Sequence, residues 1–273
     1  MKKTFFVLLP LILLLSTISS AQQRIVSLNG AISEMLCSLG LEDQIAGVDV
    51  TSNYPVSLKQ KTSVGHNRNI SAEGILALRP TLVLAVKDEL KPEVLEQLRQ
   101  AKVNIQLVKQ EFSPAGTKAL LQEVAKATNT EVKGKQLISS FDKEMGSLKI
   151  APTGKRVIFV YARGAGSMTV CGTGQSPDQM IRLAGSTNAM TGFEGFKPLS
   201  AEALVAANPD VILLFDSGLQ SVGGVDGLLK IPGVINTNAG KNKKIISMDG
   251  QFLSGFGLRL PQAILQLNKK ITG

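Results

Sequence analysis

A seventeen-residue segment occurs twice in this chain, and the duplication restricts the fold more than any other feature. Residues 70–86 run Ile-Ser-Ala-Glu-Gly-Ile-Leu-Ala-Leu-Arg-Pro-Thr-Leu-Val-Leu-Ala-Val, and residues 199–215 run Leu-Ser-Ala-Glu-Ala-Leu-Val-Ala-Ala-Asn-Pro-Asp-Val-Ile-Leu-Leu-Phe. Each copy reads as a Ser whose hydroxyl caps a short apolar helix, a Pro that stops the helix, and a strand buried on both faces. A second set of matches supports the duplication: Met35, Gly40 and Gly47 correspond to Met180, Gly185 and Gly192 at an offset of 145, whereas Ser71 and Ser200 stand 129 apart. The first half therefore carries 16 extra residues between Gly47 and Ser71, and the only histidine, His66, lies among them. Two similar lobes with one ligand-type residue in the part they do not share imply a cleft that holds something.

The chain opens like an exported protein. Lys2 and Lys3 precede an apolar run from Phe5 to Leu15, and Ser19-Ser20-Ala21 supplies small residues for cleavage before Gln22. That run is shorter than the roughly 20 residues a membrane span needs. Gln22 rather than Cys follows the expected cut, which points to a free periplasmic protein without a lipid anchor. Loss of Lys2 and Lys3 lowers the formal charge from +9 to +7. The basic residues are scattered, apart from Lys241-Asn242-Lys243-Lys244, and aromatics are scarce. No basic stripe interleaved with stacking rings is present, so an anionic small molecule fits better than nucleic acid. Cys37 and Cys171 fall in different halves, each beside apolar residues. A disulfide between them would tie the lobes across the cleft, so two separate buried thiols are expected.

Strands alternate with helices in both halves, which implies parallel sheets with crossover helices and a ligand at the carboxyl ends of the strands. Expected strands are Arg24–Leu28, Ile45–Val48, Leu82–Val86, Ile105–Val108 and Arg156–Tyr161. Expected helices are Ile32–Leu39, capped by Gly40, one after Pro92, and one beginning at Ser176-Pro177-Asp178 with Ser176 as cap. From Thr117 to Leu148 there is no proline, and apolar residues recur with helical period from Leu120 to Leu148, so this stretch reads as long helix with a break at Asn129 or Gly134. The expected fold class is α/β: two similar lobes with central, mostly parallel sheets, joined by a long rigid helix and enclosing a ligand cleft. The expected boundaries are a leader at 1–21, a first lobe at 22–115, a linking helix at 116–150 and a second lobe at 151–273.

The segment Val64-Gly65-His66-Asn67-Arg68-Asn69-Ile70-Ser71-Ala72-Glu73 carries the chemistry. A cation two residues away disfavours protonation of the imidazole and leaves its nitrogen free for a metal. One histidine cannot build a protein-only zinc or manganese site, but it can supply an axial ligand to iron held by a porphyrin. The loop Gly164–Gly174 follows a strand, yet Thr169 stands where a dinucleotide fingerprint needs its third glycine. Its glycines are expected instead to let backbone approach a flat ligand. No nucleophile–base pair and no Gly-x-Ser-x-Gly elbow is visible, so the chain reads as a non-enzyme.

Gly-His-Asn-Arg-Asn-Ile-Ser-Ala-Glu-Gly, Ala-Arg-Gly-Ala-Gly-Ser-Met and Gly-Phe-Gly-Leu-Arg together resemble the periplasmic haem-binding proteins of bacterial haem ABC importers. These belong to the helical-backbone class that also contains vitamin B12 and ferric-siderophore binders. The resemblance spans essentially the whole mature chain and implies haem as the transported ligand, with an inner-membrane permease dimer as partner and a monomeric carrier. It implies His66 as axial ligand at a position where the family usually has a tyrosine supported by the arginine that matches Arg68. It also implies Arg68, Arg163 and Arg259 as propionate partners, and Tyr161, Met168 and Phe256 as pocket residues. A second iron ligand stays open between Met168 and Tyr161. Glu73 and Glu202 hold the same place in the two repeats. A carboxylate there suits a helix N-terminus, and the resemblance adds docking onto permease arginines. The rival readings are a ferric siderophore or corrinoid binder and, more remotely, an exported nucleotide-using enzyme.

Overall fold

The computed structural model describes residues 23–66, 69–87 and 89–273. The leader expected at 1–21, and Arg68, lie outside the described residues.

The first lobe runs β1 (Ile25–Ser27), α1 (Gly30–Ser38), β2 (Ile45–Val48), β3 (Thr62–Ser63), α2 (Ala72–Leu76), β4 (Leu82–Val86), α3 (Pro92–Gln100) and β5 (Ile105–Val108). Its sheet has the order β3-β2-β1-β4-β5 and is parallel throughout. Every residue of β4 is buried, as expected where helices cover both faces of a parallel sheet.

Two helices follow, α4 (Pro114–Ala127) and α5 (Glu131–Ser147). The expected break falls at Asn129, at φ 55°, where the Thr128 hydroxyl takes up the Val124 carbonyl at 2.8 Å, so the 116–150 stretch is two helices rather than one linking helix. The helices fold back on each other. Ala125 meets Gly134 so closely that a Cβ there would lie 2.7 Å from the Ala125 methyl, and Lys118 pairs with Asp142 at 2.8 Å. Leu120, Leu121 and Val124 of α4 are buried in the first core. In α5, Leu137 and Ile138 pack on that core, while Phe141 and Met145 pack in the second. The helix that packs in both cores is therefore α5, while α4 reaches the second lobe through the Thr117 hydroxyl, which donates to the Phe256 carbonyl at 2.8 Å.

The second lobe contains β6 (Arg156–Ala162), β7 (Met168–Cys171), α6 (Ser176–Leu183), β8 (Thr187–Asn188), β9 (Phe196–Pro198), α7 (Ala201–Ala207) and β10 (Val211–Phe215). Then come α8 (Asp216–Ser221), α9 (Gly224–Leu229), α10 (Asn238–Lys241), β11 (Ile245–Met248), α11 (Gly250–Ser254) and α12 (Leu260–Thr272). The sheet order is β11-β10-β6-β7-β9, with β8 also paired to β6; β7 runs antiparallel to both neighbours.

The duplication is structural. The Ser71 and Ser200 hydroxyls each accept, at 3.1 Å, the amide three residues on, and both repeats continue into a central buried strand. Met35 and Met180 are both fully buried. Gly40 and Gly185 close α1 and α6 at φ +85° and +77°, with the following amides bonded back to Leu36 and Ile181. Two local expectations change. The Asn29 carboxamide caps α1, so this helix starts at Gly30 rather than Ile32. Ser176 does not cap α6: the buried Asp178 carboxylate holds the Gly174 amide at 3.1 Å, and Ser176 is already helical.

Candidate functional site

The strands of both sheets end at a cleft of about 460 Å³ between the lobes, within the range of small-molecule sites. The first lobe contributes Asn29, Gly30 and Ala31 at the start of α1, Val50, Thr51 and Asn53 beyond β2, His66, Glu89, Gln110 and Phe112. The second contributes Tyr161 and Arg163 at the end of β6, Ser176, Phe215 and Ser217 after β10, and Gly250, Gln251, Ser254 and Gly255 around α11.

His66 therefore stands in one wall and Tyr161 with Arg163 in the other. Strand alternation puts Tyr161 and Arg163 on the same face. The Arg163 Nε–H donates to the Tyr161 hydroxyl oxygen at 2.7 Å, and the guanidinium lies 5.3 Å from the ring centroid. Phe215 meets the Tyr161 ring edge-on at 6.0 Å, and Phe159 meets Phe215 at 4.8 Å, so the phenol is backed by a column of rings. The Arg163 Nε–H is consequently engaged with the tyrosine oxygen.

Three expected pocket residues are elsewhere. Met168 packs from β7 into a core on the other side of the second sheet. Phe256 is buried at 2% exposure behind Phe112, with their ring centroids 5.5 Å apart. Arg259 does not face the cleft either. Its Nε donates to Glu34 at 3.0 Å, its backbone amide donates to the other carboxylate oxygen at 3.1 Å, and Nη2 adds an ion-pair contact at 2.9 Å without a directed hydrogen bond. Its guanidinium lies 3.5 Å from the Tyr54 ring centroid and 4.9 Å from that of Phe252. Glu34 is buried in α1 and needs a charge partner, and Arg259 supplies it from the other lobe.

The expected Gly164–Gly174 loop is largely ordered structure: residues 164–167 turn between β6 and β7, closed by Arg163 N–H to Ser167 O at 2.9 Å, and residues 168–171 are β7 itself. Gly172 admits the Phe193 backbone, since a Cβ there would sit 2.2 Å from the Phe193 carbonyl oxygen; its close approach is to protein, not ligand.

Sequence reasoning missed the polar floor of the first lobe. Burial pushes Asp49 above the ordinary carboxyl range, against the lowering effect of bonds from Thr51 and Ser52 at 2.6 and 2.7 Å. Burial likewise raises Glu89, which accepts the Asn29 carboxamide at 3.4 Å. The Asp–x–Thr–Ser spacing of a side-chain-bonded turn was the available signal for Asp49. Glu89 gave none. The thiols of Cys37 and Cys171 are free, lie in different cores, and are both pushed up to about 12 by burial. Among the described residues no group of three or more His, Cys, Asp and Glu side chains is placed to hold a metal ion, and no helix is long and apolar enough to cross a membrane.

An interlobe cleft at the carboxyl ends of two α/β sheets, bridged by one helix, defines a ligand-capturing protein. The chain belongs to the periplasmic binding protein family, whose model matches residues 25–252. Among solved structures it is similar to the periplasmic haem-binding protein RhuT from Roseiflexus sp. RS-1: 38% identity, 92% of this chain and 98% of that one covered, TM-score 0.87. It is similar to the periplasmic haem-binding protein BhuT in complex with two haems at 36% identity over the same shares, also with a TM-score of 0.87. An uncharacterised ABC transporter substrate-binding lipoprotein of Bacillus subtilis is 25% identical over 93% of this chain and 82% of its own length. The family and these relatives are binding proteins, and they indicate an exported protein, periplasmic or membrane-anchored.

Proposed function

We propose that this protein captures haem in the interlobe cleft and hands it to an inner-membrane ABC importer, after export through a cleavable leader at residues 1–21. The observation that carries the reading is the placement of an imidazole and a phenol in opposite walls of one cleft, the phenol held by a guanidinium. Imidazole and tyrosinate are both axial ligands of haem iron. His66 would take one face of the porphyrin and Tyr161 the other; Tyr161 lines the cleft whereas Met168 packs against a core on the far side of the sheet, which supports Tyr161 as second ligand. Once iron has displaced the phenolic proton, the Arg163 N–H stabilises the anion. Arg68, two residues from His66, remains the arginine assigned to a propionate. Glu73 and Glu202, exposed in the first turns of α2 and α7, dock the two lobes onto the permease. A siderophore or corrinoid would not call for this ligand pair, and the solved relatives at 36–38% identity are haem binders.

Titration of the purified protein with hemin tests the assignment. The ferric complex should show the spectrum of six-coordinate iron. His66→Ala and Tyr161→Phe should each convert it to a different five-coordinate spectrum and weaken binding by about tenfold or more, a change of about 1.4 kcal/mol. If both variants keep the wild-type spectrum and affinity, the ligands lie elsewhere and the reading fails.

A further inference from the structure

Gln251 spends its whole side chain on the opposite lobe. It is 9% exposed, in the first turn of α11, yet its Nε2 donates to the Gly30 carbonyl at 2.8 Å, and its Oε1 accepts the Asn53 and Tyr54 amides at 2.7 and 2.9 Å. Asn53 and Tyr54 lie in the stretch between Gly47 and Ser71 that holds the extra residues and His66. The near part of that stretch is stiff, because the Asp49 carboxylate bonds the hydroxyls of Thr51 and Ser52. The Val50 amide donates to the Gly65 carbonyl at 3.1 Å, and Gly65 directly precedes His66. A run of bonds thus leads from one carboxamide of the second lobe to the backbone of Gly65, the residue before His66.

The same short helix supports the other wall. A Cβ on Gly250 would stand 3.8 Å from the Phe215 ring, so α11 packs in van der Waals contact on the ring that backs Tyr161.

We infer that Gln251 is a positioning residue for haem: through Asn53 and Tyr54 it sets the His66 loop against the Tyr161 wall, so parting of the lobes at α11 loosens the histidine. This rests on the ligand assignment of the proposed function. Gln251 touches the ligand loop only through backbone amides, so its effect is on the placement of the imidazole. Separation of the lobes breaks all three of its bonds in one movement, which couples opening of the cleft to loss of iron ligation.

The test uses the mature protein loaded with hemin. Gln251→Met keeps the side-chain volume and removes the bonds. It should shift the ferric spectrum toward that of His66→Ala, speed hemin transfer to excess apomyoglobin by about tenfold, the effect of about one net hydrogen bond, and be restored to the six-coordinate spectrum by added imidazole. Amide hydrogen exchange of residues 50–66 in the apoprotein should rise while that of β6 does not. Gln251→Glu retains acceptors for Asn53 and Tyr54 but loses the donor to Gly30, and should fall between wild type and Gln251→Met; it serves if the methionine variant does not fold. A changed spectrum in His66→Ala with wild-type spectrum, transfer rate and exchange in the Gln251 variants overturns this inference and leaves the ligand assignment standing. An unchanged spectrum in His66→Ala overturns the assignment itself.

Discussion

The two lobes agree where they pack and disagree where they bind. Met35 and Met180 sit fully buried at matching places, Gly40 and Gly185 end matching helices, and Ser71 and Ser200 cap matching ones. From those shared frames the first lobe grows the 49–69 stretch with His66, and the second grows the β6–β7 hairpin, at whose base stand Tyr161 and Arg163. Packing a sheet under helices constrains volume and period, so the common frame has the same residue types in both copies. Segments at the carboxyl ends of strands are free of that constraint, and the lobes present different groups there, His66 beyond β3 and Tyr161 near the end of β6. The two walls of the cleft differ because His66 lies outside the repeated segments, whereas Phe215, which backs Tyr161, closes the second repeat.

The largest test of that symmetry is in the core. Met35→Ala and Met180→Ala should each cost about 2–5 kcal/mol in chemical denaturation, the range for truncating a buried methionine. Losses that differ strongly between the lobes would show that the shared frame is not equally packed. Either variant, if folded, should keep the spectrum of the hemin complex.

A smaller effect separates the lobes by pH. Glu89 in the first lobe is raised by burial, so between its ordinary and raised values the folded state holds more proton than the unfolded one, and stability falls as pH rises through that window. Glu89→Gln should raise the melting temperature above the window and flatten that part of the profile. In the second lobe Asp210 goes the other way: burial pushes it up, but the Arg156 amide at 2.9 Å and the Asn238 carboxamide at 3.1 Å hold it below the ordinary range. Its contribution is present at neutral pH and lost as pH falls through the lowered value. A Glu89→Gln profile parallel to wild type throughout would remove the contrast.

The smallest change in stability is expected at the crests. Glu73→Ala and Glu202→Ala, separately or together, should alter unfolding free energy by about 0.3–1 kcal/mol each, the worth of an exposed carboxylate at a helix N-terminus. Hemin binding should stay at the wild-type level. Transport in cells, or ATPase stimulation of the reconstituted importer, should fail in the double variant. Normal transport would reduce both residues to helix-terminal charges.

Local signals in the chain were dependable. The caps at Ser71 and Ser200, the helix-ending glycines and the α/β alternation rest on neighbours a few residues apart and reappear in the structure, as does the location of His66 at the cleft, whereas Ser176 gives up its expected cap. The link between Tyr161 and Arg163 was also legible, since alternate strand residues share a face, although Arg163 reads first as a carboxylate partner. The arginine of Gly-Phe-Gly-Leu-Arg misleads for a different reason. A motif states that a guanidinium is needed, not which carboxylate will reach it, and Arg259 finds Glu34 in another lobe.

The sequence alone determined the duplicated α/β frame, its caps and core periodicity, and the single imidazole set in the unmatched insert, because these follow from backbone hydrogen-bond closure and hydrophobic period over short stretches. Only the tertiary structure decided that Arg259 serves Glu34, that Phe256 and Met168 lie behind the walls, and that Gln251 reaches across to Gly30, Asn53 and Tyr54. Those choices depend on which polar groups are buried together when the lobes meet. A buried charge or amide takes whatever partner packing brings within about 3 Å, from any distance along the chain.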